Sequence, residues 1–260
     1  MGDSGSIRVA DSRSATRIVV VGGGAAGVLT GAALARRADT DRPVEIRVIE
    51  RECGVGPGLA YGTADPEHVL NNTANRMSAY SDDPDHLLRW CAIRGVPADR
   101  GSFLPRPLYG RYLSSVLGGA GTTPGATVLR IRGEAVGVRE TDDGTSVELS
   151  CGWSVTGDAV VLALGTPPPH PQPVPGVLLG GPRYVADPWA PGALDAVGPD
   201  DRVLLLGTGL TMVDVALSLA ARRPGVRMVA ASRHALLPRP HAQVPFPVSD
   251  GVAPPEPGLR

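Results

Sequence analysis

Residues 17–27 read Arg-Ile-Val-Val-Val-Gly-Gly-Gly-Ala-Ala-Gly, a short apolar run followed directly by a glycine-rich turn. The apolar run predicts a buried strand, and the spacing Gly22-x-Gly24-x-x-Gly27 predicts a tight turn into a helix. In such turns the first glycine permits the turn, the second lets a pyrophosphate approach the backbone, and the third lets the helix pack on the strand. The helix N-terminus then favours an anion. The stretch predicts a dinucleotide site formed by Gly22, Gly23, Gly24, Ala25, Ala26 and Gly27.

An acidic residue lies where this kind of site needs one. We expect a helix near residues 25–37 and a second strand at 44–50, which together complete a βαβ unit. Glu50 ends that strand, where an acid accepts hydrogen bonds from ribose hydroxyls, and Arg51 follows it. An acid suits the unphosphorylated ribose of FAD or NAD and repels a 2′-phosphate. The alternative is a turn without a ligand and a surface glutamate.

A second glycine turn follows the apolar run 202–206. Its predicted site residues are Gly207, Thr208, Gly209 and Thr211. Met212 occupies the position of the third glycine, so we expect the following helix, at about 211–222, to lie farther from its strand and the site to be looser.

The strand after this helix, predicted at 226–232, ends in Ser232 and Arg233 instead of an acid. A hydroxyl and a guanidinium at that place can hold a 2′-phosphate, which favours NADPH over NADH. The alternative for Arg233 is a solvated arginine at a strand end. Two parallel strands and one helix leave one sheet face uncovered, so this unit is expected to be incomplete.

The remaining regular structure is predicted from periodicity and turn residues. We expect a loop over 51–82, helices at 84–94 and 108–117, a hairpin of strands 136–141 and 146–151 around an Asp-Gly turn, and a buried parallel strand at 158–164.

Composition excludes several functions. The chain has no lysine, so a Walker-type lysine, a Schiff base and a pyridoxal-phosphate anchor are all excluded. A net charge of −1 and 4% aromatic residues argue against nucleic acid as a partner. No apolar run is long enough to span a membrane. The cysteines, Cys53, Cys91 and Cys151, contain no C-x-x-C pair, which argues against a disulfide-type flavin reductase and favours a cytoplasmic protein. The histidines show no strong metal spacing, so no metal is assigned.

Several further segments resemble bacterial two-dinucleotide flavoproteins related to flavin-dependent urate hydroxylase and aspartate N-monooxygenase. The shared segments are 56–62 (GPGLAYG), 70–72 (LNN), 77–78 (MS), 103–113 (FLPRPLYGRYL), 162–166 (LALGT), 187–189 (DPW) and 207–214 (GTGLTMVD). The resemblance implies FAD in the first unit, NADPH in an inserted second domain, and hydride transfer from NADPH to the flavin. It also implies that Asn71 and Asn72 approach the flavin or its phosphates, with loop turn chemistry as the alternative. Gly165 resembles the glycine that follows a strand in these proteins, at the point where the flavin domain ends and the NADPH domain begins.

The expected architecture is therefore α/β. It comprises a disordered tail (1–15), a three-layer, doubly wound Rossmann-type FAD-binding domain with a β-meander (16–169), a proline-rich connector (170–199), and an incomplete Rossmann-type NAD(P)-binding unit (200–260). The expected function is an FAD- and NADPH-dependent oxidoreductase of monooxygenase type that acts on a small molecule. The alternative is a truncated FAD/NAD(P)-binding module without turnover of its own.

Overall fold

The computed structural model describes residues 15–52, 54–167, 181 and 183–240. Most of the predicted tail, Cys53, His170, His241 and part of the predicted connector lie outside these residues. The chain divides into two compact units, Met1–Gly198 and Pro199–Arg260. Within the described ranges, no helix is both long and apolar enough to cross a bilayer.

A parallel sheet forms the middle layer of the first unit. Its strands are β1 (Thr16–Val21), β2 (Val44–Glu50), β3 (Ala126–Arg132) and β7 (Ala159–Leu162), in the order β3-β2-β1-β7. Every neighbouring pair is parallel, so all four carboxyl ends meet at one edge. In a parallel sheet, this edge is where ligands bind.

Two helices cover one face of the sheet, α1 (Ala25–Ala35) and α4 (Arg106–Ala120). The first packs closely because its buried face consists of small residues and one valine. Alternate strand residues such as Val20 and Val48 join that helical core, whereas Val19 and Ile49 face the other way. Two shorter helices, α2 (Gly58–Tyr61) and α3 (His86–Ile93), and a 3₁₀ turn at Ala74–Arg76 complete the helical side.

An antiparallel meander forms the third layer, on the opposite face. It consists of β4 (Ala135–Thr141), β5 (Gly144–Leu149) and β6 (Ser154–Gly157). The predicted hairpin is confirmed. Thr141 pairs with Gly144, and the two residues between them form the turn. Gly144 adopts φ +116°, a conformation that favours glycine. The three-layer α/β prediction with a meander is therefore confirmed.

The observed strands differ from the predicted ones in three places. Strands β3 and β6 were not predicted, although the apolar residues of 126–131 lie between Gly125 and Gly133 and carry a strand signal. The strand predicted at 158–164 is β7, but it is not buried, since Leu162 is 58% exposed. Among the described residues, β7 pairs with β1 alone, so it is an edge strand instead of a central one.

The second unit contains one βαβ element. Strands β8 (Arg202–Leu206) and β9 (Arg227–Ala231) are parallel, and α5 (Leu210–Arg222) connects them. One face of this pair remains open in the described residues, where Leu204 and Val229 are paired and are 55% and 65% exposed.

Candidate functional site

The first glycine turn lies at the carboxyl edge of the first sheet, between β1 and α1. Gly22 adopts φ +104°, and a Cβ there would lie 2.2 Å from the carbonyl oxygen of Ala163. A Cβ on Gly27 would lie only 1.8 Å from the carbonyl oxygen of Gly22. The fold itself therefore requires the first and third glycines, in the two roles predicted for them.

Gly24 differs from these two because the fold does not require it. It precedes α1 with φ −72°, which any residue adopts, and a Cβ there would meet nothing closer than Gly58 Cα at 3.6 Å. Its missing side chain instead leaves the backbone at the start of α1 open to approach. The first N–H groups of a helix have no partner within the helix, and the helix dipole makes this end favourable for an anion.

Glu50 lies directly beside the turn. One oxygen of its carboxylate accepts a hydrogen bond from Gly23 N at 2.8 Å, and the other accepts one from Glu52 N at 3.0 Å. Gly23 is confined as well, since a Cβ on it would lie 3.0 Å from Glu50 Cβ. These two bonds orient the carboxylate and leave it further acceptor capacity, because each oxygen can accept more than one hydrogen bond.

A loop after β2 closes the other side of the turn. Gly56 N donates to Gly23 O at 2.7 Å, and Gly56 adopts φ +124° against Ser114 of α4. Ser114 Oγ in turn donates to Val55 O at 2.6 Å. This loop is the GPGLAYG segment of the resemblance. The structure holds it between the glycine turn and α4, where it forms one wall of the site.

Two arginines flank Glu50 at the same edge. Arg51 is exposed, with its Nε 3.7 Å from a carboxylate oxygen of Glu52. Arg132 ends β3 and is the register partner of Glu50, and it is exposed as well. Sequence reasoning missed Arg132 because it missed β3. Both guanidinium groups add positive charge where an anionic ligand would approach.

The other predicted residues of the first site lie farther from the turn. Asn71 and Asn72 are exposed in bends after the buried Leu70, and within the described residues neither forms a hydrogen bond with residues 22–27. Gly165 follows β7 with φ +71°, two residues after the Ala163 carbonyl that contacts Gly22. Their roles toward a cofactor stay predictions.

Tyr61, Tyr109 and Tyr112 pack together in the helical core of the first unit. Tyr61 and Tyr109 meet edge to face, with ring centroids 4.7 Å apart. Burial raises the pKa of both phenols above its ordinary value, which further favours their neutral form. Tyr112 is fully buried, and its hydroxyl accepts a hydrogen bond from Ala79 N.

The second glycine turn repeats the first in a more open form. Gly207 adopts φ +106° and Gly209 precedes α5, but a Cβ on either would meet no atom within 4 Å. At the start of α5, Gly209 O accepts hydrogen bonds from Met212 N at 3.0 Å and from Val213 N at 3.4 Å, whereas Gly24 O accepts the bond that begins α1, from Val28 N, at 2.9 Å. The distance between α5 and its strand that Met212 leads us to expect stays a prediction.

The ends of β8 and β9 meet through side chains. Thr208 Oγ1 lies 2.8 Å from Ser232 Oγ and 2.6 Å from Leu236 O. Thr208 Oγ1 has one hydrogen for these two acceptors, and when it donates to Ser232 Oγ the Ser232 hydroxyl hydrogen stays available for a ligand. Arg233 is exposed beside this group, and Thr211 is exposed in the first turn of α5. The structure thus brings Thr208 and Ser232 together, as a shared site at this edge requires.

Comparison with known proteins identifies the family. Residues 19–167 match the model of the FAD-NAD(P)-binding family. The chain belongs to this family. The match contains the first glycine turn, Glu50 and Gly165, but none of the second unit. No curated protein matches the chain.

Several solved oxygenases and monooxygenases are similar to this chain in fold. A double mutant of the flavin monooxygenase from Stenotrophomonas maltophilia is 20% identical, with a TM-score of 0.56 over 85% of this chain and 58% of that one. S-allyl-L-cysteine S-oxygenase from Allium sativum is 19% identical, with a TM-score of 0.55 over 87% and 53%. A mutant cyclohexanone monooxygenase from Rhodococcus sp. Phi1 bound to NADP+ is 18% identical, with a TM-score of 0.55 over 82% and 38%. The chain spans less than two thirds of each structure.

Proposed function

We propose that this protein is a flavin-dependent oxidoreductase that binds FAD in its first unit and NADPH in its second. The observation that best supports this proposal is that the fold requires only two of the three glycines in the first turn. The fold requires Gly22 and Gly27, whereas it leaves room for a Cβ at Gly24, so the bare backbone there suits the close approach of a ligand. The family match over residues 19–167 supports a dinucleotide as that ligand.

Each residue of the first site has a distinct part in the proposal. The N–H groups at the start of α1 hold the diphosphate, and Gly24 lets it approach. Glu50 accepts hydrogen bonds from the ribose hydroxyls, with its carboxylate already oriented by Gly23 N. Arg51 and Arg132 attract the anionic cofactor to this edge. Bound FAD supplies the electron acceptor and the oxygen chemistry, while the protein supplies binding and orientation.

The second unit is proposed to bind NADPH. Ser232 and Arg233 hold the 2′-phosphate at the end of β9, and Thr208 positions the Ser232 hydroxyl. Hydride transfer from NADPH to the flavin then precedes a monooxygenase-type reaction on a small molecule. We also propose that the protein is related to flavin-dependent urate hydroxylase and aspartate N-monooxygenase. The cysteine pattern favours a cytoplasmic location for it.

One observation favours a second candidate function. The face of the second sheet that carries Leu204 and Val229 is uncovered in the described residues, and parallel sheets are stable when both faces are covered. A chain with this open face would serve as an FAD/NAD(P)-binding module without turnover of its own.

The visible absorbance of the purified full chain separates these functions. A yellow protein that NADPH bleaches without oxygen supports the oxidoreductase. A yellow protein that NADPH leaves unchanged supports the binding module. A colourless protein that shows no affinity for added FAD by calorimetry refutes both.

The nicotinamide preference has its own test in Arg233→Glu. Losing a charge-assisted hydrogen bond of about 1.5–3 kcal/mol weakens NADPH binding by roughly 10- to 100-fold. FAD content and NADH affinity should stay unchanged. Arg239→Glu is the control, since Arg239 is also exposed and lies six residues later. Equal effects of the two substitutions, or equal loss of FAD and NADPH, contradict the assignment.

A further inference from the structure

The segment Asp187-Pro188-Trp189 has no part in the proposed function so far, yet the structure gives it specific contacts. The Trp189 ring meets the His68 ring edge-on, with centroids 5.4 Å apart and planes at 80°. The guanidinium carbon of Arg106 lies 5.9 Å from the Trp189 centroid. Asp187 accepts a hydrogen bond from Trp189 N at 2.9 Å, which fixes the local turn. The indole therefore rests between a histidine and an arginine of the first unit.

The surface beneath Trp189 is held in place by several hydrogen bonds. His68 is 6% exposed, and its Nδ1 lies 2.9 Å from Thr63 Oγ1. Arg106 N donates to His68 O at 2.7 Å, and Arg106 Nε donates to Val69 O at 3.0 Å. Arg106 is also the first residue of α4, so this helix, the His68 segment and the indole are linked by direct contacts. We call His68 and Arg106 together the tryptophan shelf.

We propose that Trp189 is a positioning residue that latches the chain to the tryptophan shelf shortly before the second unit begins. Pro199, where that unit starts, lies only ten positions after Trp189. Ten residues span at most about 35 Å, so the latch limits how far the second unit can move from its attachment point. The inference rests on the proposed function, because a short tether raises the rate at which NADPH on one unit reaches flavin on the other.

The length of the tether sets the expected size of the effect. Among the described residues before the segment, Ala163 is the last whose backbone is hydrogen-bonded to the sheet, through Val21 O. It lies 36 residues before Pro199. If Trp189→Ala moved the attachment point back to Ala163, the tether would lengthen from 10 to 36 positions. The effective concentration of the second unit at the flavin would then fall with the 3/2 power of this ratio, which is about sevenfold.

The kinetic test uses Trp189→Ala in the full chain loaded with FAD. The expected result is a five- to tenfold slower reduction of the flavin by NADPH, with unchanged FAD content, unchanged NADPH affinity and unchanged reduction by dithionite. Trp189→Phe keeps an aromatic ring on the tryptophan shelf and should restore most of the rate. Trp153→Ala is the control, because Trp153 is half exposed in the meander and should leave the rate unchanged. An unchanged rate in Trp189→Ala, or a parallel loss of FAD, overturns the proposal.

A second measurement tests the latch without any cofactor. Arg183 is exposed six residues before Trp189, so freeing the segment should speed tryptic cleavage after Arg183 in Trp189→Ala but not in Trp153→Ala. Mass spectrometry of the fragments gives the rate at this bond. If Trp189→Ala is cleaved faster but NADPH does not reduce the flavin of the wild-type protein, the latch is supported and the proposed function is refuted. Equal cleavage in the variants and the wild type defeats the latch itself.

Discussion

The closest packing in the first glycine turn yields a sharp prediction for Gly27→Ala. The added Cβ would lie 1.8 Å from the carbonyl oxygen of Gly22, whereas ordinary contacts begin near 3.4 Å. The atom it meets is backbone and cannot rotate away. The N-terminus of α1 must therefore move about 1.5 Å from β1.

This displacement lowers the free energy of unfolding. Overpacking of this kind typically destabilises by about 1–3 kcal/mol, and a rigid backbone neighbour places Gly27→Ala at the upper end, near 3 kcal/mol. The shift also misaligns the N–H groups proposed to hold the diphosphate. Loss of one charge-assisted hydrogen bond weakens FAD binding by roughly 10- to 100-fold.

The assay is urea unfolding together with FAD titration, and Gly119→Ala is the control. Gly119 also lies within a helix, α4, but a Cβ there would meet nothing within 4 Å. That substitution should leave FAD binding unchanged and stabilise by about 0.5–1 kcal/mol, since alanine favours helix. Wild-type stability and FAD affinity in Gly27→Ala would refute the packing argument.

Two further predictions concern the stability of the first unit. Arg47 is 5% exposed, and its Nε donates to Glu45 at 2.6 Å, so Arg47→Met should cost about 3–5 kcal/mol by leaving a buried carboxylate unpaired. Replacing Glu45 with leucine as well should recover most of that loss in urea unfolding, and a double variant no more stable than Arg47→Met alone would contradict this account. Burial lowers the pKa of His86, which lies 2.8 Å from the Tyr112 hydroxyl. As the pH falls, the His86 imidazole is therefore protonated in the unfolded chain before it is protonated in the folded one. The free energy of unfolding of the wild type should fall as the pH drops below about 6.5, and His86→Asn should show a shallower fall between pH 7 and 5. Parallel pH profiles would count against this role for His86.

Local sequence was sufficient wherever one short segment carries the whole constraint. The run 17–21 and its glycines predicted β1, the turn and the start of α1, because a tight turn depends only on adjacent residues. The hairpin, predicted at 136–151 and observed at 135–149, was predicted for the same reason. Strand β3 was missed, even though turn glycines bound it, and with it the arginine beside Glu50.

Burial and pairing depend on the whole chain. The apolar run at 158–164 has the composition of a buried strand, but its exposure depends on what pairs with its second edge, which is a tertiary property. Likewise, the motif at 187–189 could be recognised from the sequence, whereas its contact with the tryptophan shelf joins Trp189 to residues 121 and 83 positions earlier.

The sequence by itself determined the two glycine turns, the acid at Glu50 and the hydroxyl–arginine pair at 232–233, because each is written in consecutive residues and strand spacing. Tertiary structure alone decided which glycines the fold needs, how the Glu50 carboxylate is oriented and where Trp189 rests. These features depend on distances between segments that are remote along the chain. Such distances are set when the sheet and helices pack, and no local pattern encodes them.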